Sequence, residues 1–139
     1  ANTAVSYWEA RPKIFYVRAN SSGSDGIPTL CMAALVNDDI ATRCLVEGIE
    51  DFQVEFGIDT NADGVANQYK ALPASAAEMG NAVSARVYFL VRSLGPLAGY
   101  TNSKTYTLGS KSIPAKNDGY LRRVFTTTVQ IRNAILPIG

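Results

Sequence analysis

Apolar and polar side chains alternate along residues 49–58, with Phe52, Val54, Phe56 and Ile58 pointing one way and Gln53, Glu55 and Gly57 the other. A period of two over that length predicts a half-buried β-strand. The period returns at 83–92, where Val83, Ala85, Val87, Phe89 and Val91 oppose Ser84, Arg86, Tyr88, Leu90 and Arg92. The second of these faces is polar enough to be expected in solvent. From 120 to 133, Arg123, Phe125, Thr127, Val129 and Ile131 alternate against Arg122, Val124, Thr126, Thr128, Gln130 and Arg132. So many β-branched residues disfavour a helix there. Residues 13–18 form a short β-branched and aromatic run, closed by the Ser- and Gly-rich segment 20–26. A further strand is expected over 27–36, with Pro28 at its start, where a missing N–H costs least. One helical turn is predicted at 74–79, between Pro73 and Gly80. Long connections at 94–106 and 108–119 complete a mainly β chain: an antiparallel sheet domain with long loops and at most a short helix. The expected organisation is a lead-in at 1–12, which shows no clear period, followed by a single β-rich domain over 13–139.

Composition removes several classes of function. Thirteen Lys and Arg stand against twelve Asp and Glu over 139 residues, a net charge of +1 with the charges scattered singly, which argues against nucleic-acid binding. No histidine is present, so a Ser/His/Asp or Cys/His triad, a His-ligated zinc site and an imidazole proton shuttle are excluded. No apolar run approaches the roughly 20 residues that cross a bilayer, and the chain opens at Ala1 without a charged-then-apolar signal segment. A processed chain and a portion of a longer protein both remain open. Cys31 and Cys44 flank the turn-rich segment 36–39, and closing that loop would stabilise the fold by roughly 3 kcal/mol. An oxidised staple in an exported protein and two buried thiols in a cytosolic one are the alternatives.

The sharpest local motif runs from Asp59 to Asn67. Oxygen side chains at Asp59, Asn61 and Asp63, then Gly64 for the sharp turn, a backbone carbonyl at Val65 and an amide at Asn67 have the spacing of a calcium loop. Lys70 stands where an EF-hand supplies its bidentate Glu, and no helix is predicted on either side. Glu50, Asp51, Glu55 and Glu78 are the acids available to complete a shell. The competing reading is a strand-terminating turn in which Asp and Asn bond their own backbone. Glu47, Glu50, Asp51 and Glu55 form an acidic cluster, but solvated acids far outnumber catalytic ones, and no catalytic residue is assigned. Arg122 and Arg123 point to opposite faces, and a cross-strand acid such as Glu55 is the expected partner. Tyr7, Trp8, Tyr16, Tyr69, Tyr88, Tyr100, Tyr106 and Tyr120 are read as core or strand-face rings rather than ligand stackers.

Three segments in combination, residues 45–67, 83–93 and 118–133, resemble the C-terminal region of PilW-type minor pilins in order and spacing. Ile14-Phe-Tyr-Val and Gly26-Ile-Pro-Thr-Leu30 resemble that family's lead-in, so the likeness covers residues 13–133. It implies a pilin-like globular domain without its N-terminal helix, related to the minor pseudopilins of type II secretion. It also implies a non-enzymatic part in type IV pilus assembly and priming, with other minor pilins or pseudopilins and the pilus as partners. The protein would be held in the inner membrane by a helix outside this sequence and then reside in the periplasm or on the cell surface, in a system that serves adhesion and twitching motility. An oxidised Cys31–Cys44 pair fits that address, and calcium is the expected cofactor at Asp59, Asn61, Asp63, Val65 and Asn67. The alternative class is a secreted calcium-dependent adhesin or carbohydrate-binding β domain.

Overall fold

The computed structural model describes residues 11–131 and is mainly β, with nine strands and one short helix. The lead-in up to residue 10, with Tyr7 and Trp8, and the end of the expected last strand at Arg132 and Asn133 lie outside the described residues. Two compact units divide at Glu47 and Gly48.

The first unit is a three-stranded antiparallel sheet in the order β1-β2-β3, with β1 Lys13–Arg18, β2 Thr29–Val36 and β3 Asp39–Glu47. Both turn residues between β2 and β3, Asn37 (φ 50) and Asp38 (φ 64), have positive φ. A two-residue hairpin needs this, because such a turn matches the twist of its strands. The hairpin sets Cys31 opposite Cys44, and the two form a disulfide with a Cα–Cα distance of 3.9 Å. The loop before β2 closes on Asp25, whose carboxylate accepts the N–H groups of Ser21, Ser22 and Ile27. Strand β3 escaped the sequence reading because all nine of its residues are exposed, which leaves no buried face to impose a period.

The second unit is a four-stranded antiparallel sheet in the order β5-β4-β6-β9, made of β4 Ile49–Ile58, β5 Gln68–Lys70, β6 Ala82–Arg92 and β9 Arg122–Gln130. Helix α1, Ala76–Gly80, begins at Ser75, whose Oγ accepts the Glu78 N–H. A hairpin of β7 Tyr106–Leu108 and β8 Lys111–Ile113 lies where the sequence suggests only connection. Each of its strands has three residues, too few for a readable period. Among the described residues no helix is long and apolar enough to cross a membrane.

The hairpin decides which face of the large sheet is covered. Leu90 of β6 packs with Leu108 and Ile113, all three buried, and Tyr88, Tyr106 and Val124 close around them. The expectation that the Ser84–Leu90 face of β6 meets solvent is therefore reversed: Ser84 and Leu90 are buried, while Val83, Val87, Phe89 and Val91 are only half-buried. Burial on that side tolerates polar atoms because they are bonded. Glu55 is buried, and its carboxylate accepts Ser110 N–H at 2.7 Å and Tyr88 O–H at 3.2 Å, tying β4 to the hairpin tip. The tip is Gly109, in the left-handed region at φ +58, where an added Cβ would fall on the Glu55 carboxylate, 2.5 Å from its Cδ. Gly57, opposite Ser84 on the same face, likewise leaves room for Ala66, whose Cβ would stand 2.7 Å from a side chain there.

Candidate functional site

The face of the large sheet turned away from the hairpin carries an apolar grid. Register aligns Phe52 with Phe89 and Phe89 with Phe125, so three phenylalanines form one row across β4, β6 and β9. Val54, Val87 and Thr127 make the next row, and Phe56, Ala85 and Val129 the third. Phe52 and Phe89 stack with centroids 6.4 Å apart. Strand spacing and rise give the grid roughly 10 Å by 14 Å between its outer Cα atoms. Its β4 and β6 members are half-buried, while Phe125 and Val129 are 48% and 54% exposed. An apolar sheet face left in this state is a characteristic of binding surfaces.

Ionic and polar ties fix the start of β9 on the opposite face of the sheet. The Arg122 side chain, 1% exposed, opens β9 and makes two bidentate pairs. Its Nε and Nη2 donate to Glu50 at 2.6 and 2.9 Å, and its Nη1 and Nη2 donate to Asp118 at 2.6 and 2.7 Å. The expectation of Glu55 as the arginine's partner is thus corrected to Glu50 and Asp118, Glu55 being taken by the hairpin. Hydrogen bonds from Arg122 hold the Asp118 carboxyl down at about 2, and Asp118 and Glu50 in turn push the guanidinium up. Buried Asn102 stitches the preceding loop to the same corner by donating to the Tyr120 carbonyl at 2.9 Å. Arg123, on the opposite face as alternation requires, lies 5.2 Å from the Phe125 ring centroid.

The Asp59–Asn67 loop follows β4 directly and folds as a closed turn. Asp59 accepts N–H groups from Asn61, Ala62 and Gly64 at 3.1, 2.7 and 2.7 Å. Burial works to raise its carboxyl, and the Gly64, Asn61 and Ala62 amides outweigh that and hold it below the ordinary value. Asp63 accepts Val65 N–H at 2.8 Å and the Asn61 amide at 3.0 Å, and Asn67 accepts Thr60 N–H at 2.9 Å. The spacing thus brings Asp59, Asn61, Asp63 and Asn67 into one loop, with Val65 engaged through its N–H. The four acids considered for completing a calcium shell are all occupied: Glu50 by Arg122, Asp51 by Lys111, Glu55 by the hairpin and Glu78 by Lys70. Among the described residues no group of three or more acidic or cysteine side chains converges in a way that could hold a metal.

The same pairings disperse the acidic cluster, and Glu47 lies in the other unit. The rings are also engaged within the chain. Arg86 lies 3.8 Å from the Tyr69 ring centroid and Arg92 4.0 Å from that of Tyr120, while Tyr88 donates to Glu55 and Tyr106 to Asn102. Tyr16 and Tyr100 are half-buried. The contacts of Glu55 with the hairpin and of Glu50 with Arg122 were missed in the sequence because their partners lie 55 and 72 residues apart, whereas Asp118 is only four residues from Arg122.

The family model described as Type IV Pilus-assembly protein W, PilW, matches residues 14–133. No curated protein and no solved structure matches the chain.

Proposed function

The chain belongs to the PilW family of type IV pilus-assembly proteins, and from that premise we propose that it is a non-enzymatic minor pilin component acting through subunit contacts at its exposed sheet face. The observation that supports this reading is the apolar grid of Phe52, Phe89, Phe125 and the two rows beside it, half-buried to exposed on a sheet whose other face packs against the hairpin around Leu90. Burying such a face against an apolar element of a neighbouring subunit would gain about 25 cal/mol for each Å² removed from water, without any chemistry on a substrate. The periplasm or the pilus is the setting this role requires, and the Cys31–Cys44 disulfide suits an oxidising compartment.

The Asp59–Asn67 loop we infer to be a self-closed turn that ends β4 and positions Tyr69, rather than a calcium site, because its carboxylates already accept backbone and amide donors. The test of the main reading is Phe125→Glu together with Val129→Glu, two exposed positions whose substitution leaves the covered core untouched. Loss of surface pili and of co-purifying pilus subunits, with an unchanged circular dichroism spectrum and melting temperature, is the expected result. Normal piliation in that variant would overturn the proposal.

A further inference from the structure

We infer that the free edge of β9 is a self-pairing surface, through which two copies of this chain join their large sheets by antiparallel β9–β9 hydrogen bonding. The argument is an accounting of backbone groups and stands apart from the sheet-face reading above. Ile131 N–H donates to the Val83 carbonyl and Ser93 N–H to the Leu121 carbonyl, each at 2.9 Å, in the same register that pairs β6 with β9. Alternate residues of an antiparallel ladder exchange these bonds. The odd-numbered residues of β9 therefore bond to β6, and Val124, Thr126, Thr128 and Gln130 turn N–H and C=O outward. β9 is the outermost strand on its side of the sheet, and Thr126, Thr128 and Gln130 are exposed. Among the described residues, only the first position is closed, by Tyr106 O–H donating to the Arg122 carbonyl.

Open edges are normally blunted by charge, proline or short length. The other edge strands of the described fold follow this rule. β5 has three residues, β1 carries Lys13 and Arg18 at its two ends, and β3 has Arg43 at its centre. A second copy laid antiparallel on β1 would oppose Lys13 to Arg18, and on β3 would oppose Arg43 to itself. In β9 the charges are confined to Arg122 and Arg123, and no proline interrupts the strand.

Self-pairing centred on Thr126 satisfies every outward group in the middle of the strand. Thr126 meets the partner's Thr126 and Val124 meets the partner's Thr128, so each hydrogen-bonding position faces another. Arg123 falls opposite the partner's Val129, and no like charges oppose each other. Phe125 falls beside the partner's Thr127, so the two apolar grids run on into one another across the seam.

Backbone amide exchange by NMR on the folded chain, with sedimentation velocity, tests this at low micromolar and near-millimolar concentration. A dimer is expected at the higher concentration, in which the Val124, Thr126 and Thr128 amides become protected while those of Phe125, Thr127 and Val129 are slow at both. Thr126→Lys, which places like charges at the two-fold centre, should leave the melting temperature unchanged and abolish the dimer. A monomer throughout, a dimer protected elsewhere, or a dimer unaffected by Thr126→Lys would each overturn the inference.

Discussion

Gly109→Ala puts the packing of the large sheet to its most direct test. The new Cβ would fall on the buried Glu55 carboxylate, and the backbone stays at φ +58, where an L-residue is strained by roughly 1–2 kcal/mol. Glu55 must move, and the Ser110 N–H bond at 2.7 Å is the first to go; a bond to a charged acceptor contributes about 1.5–3 kcal/mol. The expected loss is therefore about 2.5–5 kcal/mol, a large share of the roughly 5–15 kcal/mol typical of a domain. Urea unfolding followed by circular dichroism measures it as a shift in midpoint at constant slope. Gly64→Ala is the control, since Gly64 has φ +83 but nothing within 4 Å of an added Cβ, so strain alone should cost it roughly 1–2 kcal/mol. Removing the obstacle supplies a second check. In a Glu55→Ala background Gly109→Ala should cost only the strain, making the two substitutions strongly non-additive. Equal losses for Gly109→Ala and Gly64→Ala, or additivity in the double variant, would refute the claim that Glu55 locks the hairpin onto the sheet.

Replacing both Cys31 and Cys44 by Ala should lower stability by about 3 kcal/mol, read from the same urea midpoints, because it frees a loop of sequence separation 13. Adding millimolar calcium after chelator treatment should move the melting temperature by less than about a degree, since mass action stabilises only where the cation binds well below its concentration. A rise of several degrees would instead support the cation reading of Asp59, Asn61 and Asp63. Arg122→Met should cost about 3–5 kcal/mol by leaving Glu50 and Asp118 without their shared cation. Acid unfolding carries the sign of the Asp118 shift. Its carboxyl lies at about 2 against an ordinary 3.8, so its contribution is present above about 4 and is lost as pH falls toward 2. The Arg122→Met variant should show a shallower loss over that window, not a flat one, because Asp25 is also held at about 2 by amides near Ile27 that owe nothing to the arginine.

How much of this architecture is legible in the sequence depends on whether the deciding group carries a side chain. Strands β1, β2, β4, β6 and β9 are visible because alternation and β-branched residues mark them locally, and the mainly antiparallel class follows. Alternation also separates the two faces of β6 correctly, but it cannot say which one is covered. Val83, Val87 and Phe89 form the more apolar face, yet Leu90 and Ser84 are the buried residues, because the hairpin from Tyr106 to Ile113 reaches the other side. That choice is made by Gly57 and Gly109, whose missing side chains admit Ala66 and Glu55. An absent side chain leaves no periodic signal. The aspartate loop shows a related limit: its spacing suits both a cation and a closed turn, and what separates them is whether a further acid arrives. Arg122, Lys111 and Ser110 claim Glu50, Asp51 and Glu55 from 72, 60 and 55 residues along the chain, and Lys70 claims Glu78 from eight residues away. Local pattern and observed burial disagree most at the phenylalanine row. A sequence usually leaves such a conflict unresolved within one domain where a partner resolves it, which is why that face, rather than the better-marked loop, carries the functional reading.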